Sequence, residues 1–337
     1  MDFTLHTTFP DELETEWNLL LDRTVTHVPF LRHEYLRAWW QTRGGGEWPQ
    51  ASLALVTARQ EGRLVGIAPL FHVPDYKGRP ALLLLGSIEI SDYLDLIAQK
   101  EDMPAFLSEL LPFLVSAPLP PWQVLDLYNF LDSSPTLEML ETAAQAVGWR
   151  FSREQLQHSP YIPLPGNWES YLASIGSKQR HEIRRKTRRL EGSELPTRWY
   201  LVTEGDQLEK EIEAFMGLMS QDPNKAHFLT PAMREHMHLA VHCAFDRGCL
   251  NLAFLEIAGH KAAGYLSFDY LHRMWVYNSG IDMNFVQYSP GWVLLGYLLR
   301  WANENHIYEF DFMRGDEKYK YRFGAIDRFV IRVVLEK

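Results

Sequence analysis

Leu252-Ala253-Phe254-Leu255-Glu256-Ile257-Ala258-Gly259-His260-Lys261-Ala262-Ala263-Gly264-Tyr265-Leu266 reads as a strand, a tight turn and a second strand, with Gly259-His260 at the turn. Residues 53–70 have the same form around Glu61-Gly62. In both, a basic residue (Arg63, Lys261) starts the second strand, and a glycine (Gly66, Gly264) follows inside it, marking a bulge or a close backbone approach. Each hairpin is preceded by helical sequence, at 11–23 and 34–42 in the first half and at 207–220 and 231–247 in the second. Each is followed by a strand, a helix and a strand. Such repetition implies two copies of one α+β unit.

The first copy continues through strands at 81–85 and 93–97, a helix at 103–114, a strand at 123–128, a helix at 136–147 and a strand at 149–153. A helix pair at 168–174 and 177–190, split by Gly176, then stands between the copies. The expected organisation is residues 1–160, a basic bridge or insertion at 161–194, and residues 195–337.

A chain of 337 residues with 46% hydrophobic content can fill two such cores. It opens without a signal-peptide pattern and has no stretch long enough to span a membrane, so a soluble cytoplasmic protein is expected. The net charge of -10 disfavours DNA and general nucleic-acid binding. Between Lys178 and Glu191, however, seven basic residues face only two acidic ones, which reads equally as a solvated helix face or an anion-binding surface. Cys243 and Cys249 fit neither a disulfide framework nor a zinc knuckle. His236, His238 and His242 lack an HExxH pattern, and no cysteine or acid completes an obvious set, so no metal is expected. Neither a GxSxG nor a Walker sequence occurs.

Chemistry concentrates near the C-terminus. A strand ends in Asn278-Ser279-Gly280, and Ser289-Pro290-Gly291-Trp292 opens a helix whose Leu294, Tyr297, Leu298 and Trp301 form one apolar stripe. Ser289 suits an N-cap, Pro290 the first helical position, and Gly291 close approach of a ligand, so a pyrophosphate could face the first amides. An ordinary capped helix is the plainer reading of the same residues. In the next strand, alternation puts Glu309 and Asp311 on one face, where Asp311 is a candidate base or a structural partner of Arg314 or Lys320. Tyr319, Lys320, Tyr321 and Arg322 could bind an anion or protonate a leaving thiolate, or form an amphipathic turn. In the first copy, Tyr93 and Asp95 share one strand face beside Asp92.

These residues together resemble the FemAB-like branch of the GNAT superfamily, in particular its bacterial acetyltransferase type involved in cellulose biosynthesis (BioF2-like). The resemblance is carried by Gly62 to Gly66, Ser91-Asp92-Tyr93, Trp168 to Leu172 leading into Lys178 to Leu190, Ser289-Pro290-Gly291, and Asp311-Phe312 through Gly315, Glu317, Tyr319 and Lys320. It spans nearly the whole chain. It implies two tandem GNAT-like domains, each a mixed, mostly antiparallel sheet flanked by helices, with the donor site in the second.

The implied reaction moves an acyl group from acetyl-CoA or another acyl-CoA to an amine or hydroxyl of a cell-envelope or polysaccharide precursor. Asn278, Ser279 and Gly280 with Ser289, Pro290, Gly291 and Trp292 would bind the donor, its pyrophosphate on the Ser289 to Trp292 helix start and its tetrahedral oxyanion on backbone amides near Asn278 to Gly280, and Asp311 and Tyr319 would act as base and acid. Asp92, Tyr93, Asp95, Arg314 and Lys320 would hold the acceptor. Ser289-Pro290-Gly291 stands where the superfamily usually has Q/R-x-x-G-x-G/A, which keeps an aminoacyl-tRNA donor open as an alternative, although the acidic remainder of the chain favours it less. A noncatalytic double scaffold that binds an anionic polymer or partner is the rival from another class.

Overall fold

In the computed structural model, which describes residues 1–337, the chain forms two compact units, residues 1–158 with 328–337 and residues 159–327. This partition differs from the expected one at two places. The basic helices belong to the second unit, because Ile183 and Leu190 are buried in its core. The last strand belongs to the first unit, where Val330, Val333 and Leu335 are buried.

The first unit runs β1 (Asp2–His6), α1 (Glu14–Leu21), α2 (His33–Gln41), β2 (Ser52–Leu53), β3 (Leu55–Gln60), β4 (Arg63–Ala68), β5 (Leu70–Tyr76), β6 (Arg79–Leu84) and β7 (Ile97–Ala98). It continues through α3 (Met103–Ser116), β8 (Val124–Leu131), α4 (Thr136–Ala146) and β9 (Arg150–His158). The final strand, Phe329–Glu336, is the sixteenth of the chain and pairs between β8 and β9. The unit holds a four-stranded sheet of order β1-β3-β4-β7 and a six-stranded sheet. The chain passes from one sheet to the other at Pro69, between β4 and β5, where proline has no N–H to give to a ladder.

The expected strand at 93–97 does not form. Only Ile97–Ala98 is a strand, and Tyr93, Leu94, Asp95 and Leu96 are all buried, so no solvated face alternates with a core face. Asn129 organises this irregular stretch, its side-chain Nδ2 donating to the carbonyls of Ile88 (2.9 Å) and Ser91 (2.8 Å) while its main-chain carbonyl accepts from the Leu94 amide.

The second unit runs β10 (Tyr161–Pro163), α5 (Trp168–Ser174), α6 (Ser177–Glu191), β11 (Thr197–Leu201), α7 (Leu208–Met219), α8 (Pro223–Phe228), α9 (Pro231–Asp246), β12 (Leu250–Ile257) and β13 (His260–Tyr270). It ends with β14 (Arg273–Ile281), α10 (Pro290–Glu304), β15 (Glu309–Asp311) and α11 (Lys318–Arg322). Its sheet has the order β10-β15-β14-β13-β12-β11, antiparallel except for β14 against β15. The apolar stripe of α10 packs on β12, β13 and β14, with α5 and α6 alongside.

The two hairpins match in detail. Both turn on a residue pair with positive φ, Glu61-Gly62 and Ala258-Gly259, the conformation that suits the twist of paired strands. Both carry one extra residue in the second strand, Val65 and Ala262, three positions beyond the turn glycine. Aligning the turns therefore places Gly66 with Ala263 rather than Gly264, one residue away from the match read in the sequence. No helix in the chain is long and apolar enough to cross a membrane.

Candidate active site

The sheet of the second unit opens where β14 and β15 part. Their parallel pairing covers Arg273 to Trp275 against Glu309 to Asp311, after which β15 ends and β14 continues to Ile281. A bulge at Tyr277, between the pairs Leu266–Asn278 and Ser267–Val276, bends β14 as it leaves. Asn278, Ser279 and Gly280 thus lie on a stretch with a strand on one side only. The C-terminal end of α7 packs directly on Gly280, where an added Cβ would sit 2.6 Å from the Leu218 carbonyl carbon and the Met219 nitrogen. Only glycine allows that approach.

A cavity of about 370 Å³ lies beside this stretch, lined by Leu218, Met219, Asp222, Lys225, Ser279, Gly280, Ile281 and Met283. Asp222 caps α8 by accepting from the Asn224 amide at 2.8 Å, and Pro223 takes the first helical position. That cap directs Lys225 inward, where its Nζ donates to the Ser279 carbonyl oxygen at 2.5 Å. Burial lowers the Lys225 pKa, with Asp222 and Glu317 opposing the shift. The Ser279 amide is taken by the Asn278 side-chain oxygen at 2.9 Å. Sequence reasoning missed Lys225. Its only local signal is the Asp222-Pro223 helix start, which says nothing of the strand that the lysine meets.

At the start of α10 the donors are arranged differently from the sequence reading. Ser289 is left-handed (φ 54°, ψ 52°) and its side chain makes no cap, because the preceding turn at Met283–Tyr288 already delivers the chain to Pro290. Pro290 does occupy the first turn, and Val293 is the residue whose amide bonds back to Ser289. The Gly291 and Trp292 amides therefore open the helix. Beside them the Trp292 indole N–H is buried without an acceptor, and the Lys186 ammonium lies 4.2 Å from the Trp292 ring centroid. Burial lowers the Lys186 pKa, with Glu182 raising it and Arg185 and Arg322 lowering it. Of the basic run, Arg184 and Arg185 pair with Glu169 and Glu182, while Lys186, 3.7 Å from Glu182 Oε1, also reaches the Trp292 ring. Two helix amides, an orphaned indole donor and a cation form a set suited to an anionic ligand such as a diphosphate.

The remaining candidates divide. Tyr319 is half-buried, meets Phe312 edge-on at 6.0 Å, and has its phenol pKa pushed up by burial and then by Glu317. Tyr265, whose strand position opposes Ser279, is pushed up by burial and by Tyr319, which places the two phenols as neighbours. Asp311 is fully buried and accepts from the Met313 amide at 2.7 Å, closing a turn in which Met313 has φ 58°. Lys320 points inward, not toward a ligand. It is 2% exposed, donates to the carbonyls of Arg314 and Gly315 at 3.0 Å, and pairs with Glu317 at 2.8 Å. Arg314 is half-buried within the loop that Lys320 holds.

Asp92, Tyr93 and Asp95 belong to the first unit. Tyr93 is fully buried, with Arg328 5.5 Å from its ring centroid, and Asp92 is half-buried. Asp95 accepts from Ser134 Oγ at 2.6 Å and the Leu96 amide at 2.8 Å. Burial raises its pKa to about 6, against these bonds and those from Thr26 and Thr136. It is a buried polar node of the first unit, not a solvated ligand.

Residues 177–321 match the family model described as an acetyltransferase (GNAT) domain. FemX has a similar fold, with 12% identity, TM-score 0.67 and coverage of 98% of this chain and 97% of that one. L-PGS from Bacillus licheniformis gives 12% identity and TM-score 0.53 over 89% and 90% of the two chains. A tandem GNAT protein from the clavulanic acid biosynthesis pathway, described without AcCoA, gives 13% identity and TM-score 0.50 over 98% and 97%. No curated protein sequence matches the chain.

Proposed function

We propose that this chain, whose residues 177–321 match a GNAT acetyltransferase domain and whose fold is similar to that of FemX, is a transferase that moves an acyl group from a CoA thioester to an amine or hydroxyl of a cell-envelope or polysaccharide precursor. The observation that carries this reading is the α10 start, where the Gly291 and Trp292 amides, the buried Trp292 indole N–H and Lys186 offer donors and positive charge to a diphosphate. The donor's reactive end then has the opening between β14 and β15 in which to lie.

In the proposed step, the acceptor nitrogen or oxygen bonds to the thioester carbonyl carbon and loses its proton to water. The Ser279 amide, exchanging its bond from Asn278 to the substrate, is the candidate donor to the tetrahedral oxyanion. As the carbon–sulfur bond breaks, Tyr319 supplies the proton that the thiolate takes up. Its raised pKa keeps the phenol protonated through neutral pH. Asp311 is reassigned from base to positioning residue, because its carboxylate is buried and holds the turn before α11. Lys320 fixes the same turn from the other side, and the two together set where Tyr319 stands.

Thermal protection by a panel of CoA thioesters, charged tRNA and nucleotide-linked sugars tests the donor class. Saturable protection by a thioester, lost in Ser289→Glu, supports the reading. Protection by charged tRNA alone would replace the donor assignment.

A further inference from the structure

We propose that the face shared by α7 and α9 is a divalent transition-metal site, with Glu209, His238 and His242 as ligands. This inference is independent of the acyl-transfer reading. His238 and His242 stand four residues apart on one face of α9, and Glu209 reaches them from α7. The three ligating atoms lie within 4.8 Å of one another. Glu209 Oε1 is 2.6 Å from His242 Nε2, and Glu209 Oε2 is 3.1 Å from His238 Nδ1. Ligand atoms around a four-coordinate zinc ion sit roughly 3.3 Å apart, so small side-chain rotations bring this set to bonding geometry.

The surroundings of the set have the form of a metal site's outer shell. The second nitrogen of His238, Nε2, is 2.8 Å from Glu213 Oε1, and the other oxygen of Glu213 is held by Arg234 Nη2 at 2.5 Å. A carboxylate on the far ring nitrogen fixes the tautomer that leaves Nδ1 as a ligand. Glu209 turns one oxygen to each imidazole, so the carboxylate sits between the two histidines. Two imidazoles and one carboxylate select zinc, nickel or cobalt over magnesium or calcium. With both histidines only partly covered, water completes the shell, and the ion clips α7 to α9. Along the sequence no cysteine or acid completes an obvious set with these histidines; the acid that meets them, Glu209, arrives from 29 residues before His238 through the fold.

The test uses the full chain without an affinity tag, stripped with EDTA and titrated with zinc chloride by calorimetry and with cobalt chloride by visible absorption. The expected result is one ion per chain, the cobalt spectrum of a four-coordinate site, and a Tm rise on the order of 5 °C with zinc at a hundredfold excess over Kd. His242→Ala and Glu209→Gln each weaken binding at least about tenfold, and Glu213→Gln by about tenfold. Should a variant fold poorly, the wild-type chain still decides, because bound zinc shields His238 and His242 from diethyl pyrocarbonate. Absence of binding, binding undiminished in both ligand variants, or unshielded histidines would overturn the proposal.

Discussion

Lys225 Nζ donates to the carbonyl oxygen of Ser279 at 2.5 Å, tying the first turn of α8 to the open edge of β14. This bond closes one wall of the 370 Å³ cavity and fixes the strand whose amide is assigned to the oxyanion. Lys225→Met keeps the length and removes the donor. Acyl transfer is expected to fall about tenfold in kcat/KM while Tm moves by no more than about 3 °C, since the substitution also relieves a buried charge. Steady-state kinetics and a thermal melt check this, and unchanged kinetics would remove Lys225 from the site.

Tyr319→Phe deletes the proposed acid while keeping the ring against Phe312. A drop in kcat of about 100-fold, with donor affinity within about twofold of wild type, is expected. An equal loss of donor affinity would show that the hydroxyl serves binding rather than the chemical step.

Lys320 is a stability residue in this account. Its ammonium sits among the carbonyls of Arg314 and Gly315 beside Glu317, and Lys320→Met leaves those acceptors to find new donors in a buried place. A loss of about 2–4 kcal/mol in urea unfolding is expected. A surface anion ligand would give almost no change in stability.

Asp95 provides a pH signature. Its folded pKa, about 6, lies above the ordinary carboxyl value, so between about pH 4 and pH 6 the folded state holds a proton that the unfolded state has released. The contribution of Asp95 is therefore fully present below about pH 4 and is lost as pH rises through about 6, by an amount on the order of 3 kcal/mol. Relative to Asp95→Asn, wild type should lose stability across that window in urea melts at stepped pH. Parallel curves would show that the carboxyl titrates as it does in water.

The fold was legible where local chemistry and period agree. Gly62 and Gly259 mark turns needing positive φ, and the stripe of α10 has helical spacing, so both survive translation into three dimensions. Around the candidate site the elements were legible: Ser279 and Gly280 stand at a strand end and line a cavity, and Pro290 to Trp292 opens a helix. What failed depended on partners distant in sequence. Lys320 looks like a solvent-facing cation until the 313–315 loop folds over it, and Tyr93 to Leu96 alternate in sequence yet are buried on every side. Ser289 has the composition of a cap but inherits a left-handed backbone from the turn before it. Lys225 and Glu209 become informative only through Ser279 and the α9 histidines.

The central claim is that the α10 start binds the diphosphate of a CoA thioester, and calorimetric titration of acetyl-CoA into wild type and Gly291→Trp tests it most directly. An added side chain at Gly291 would press on Ile281, with even its Cβ only 3.0 Å from the Ile281 Cγ2, and cover the first amides. The account predicts one acetyl-CoA bound per wild-type chain, with affinity reduced at least about tenfold in the variant and weakened by added salt. No binding to wild type, or equal binding to a folded Gly291→Trp variant, would contradict it.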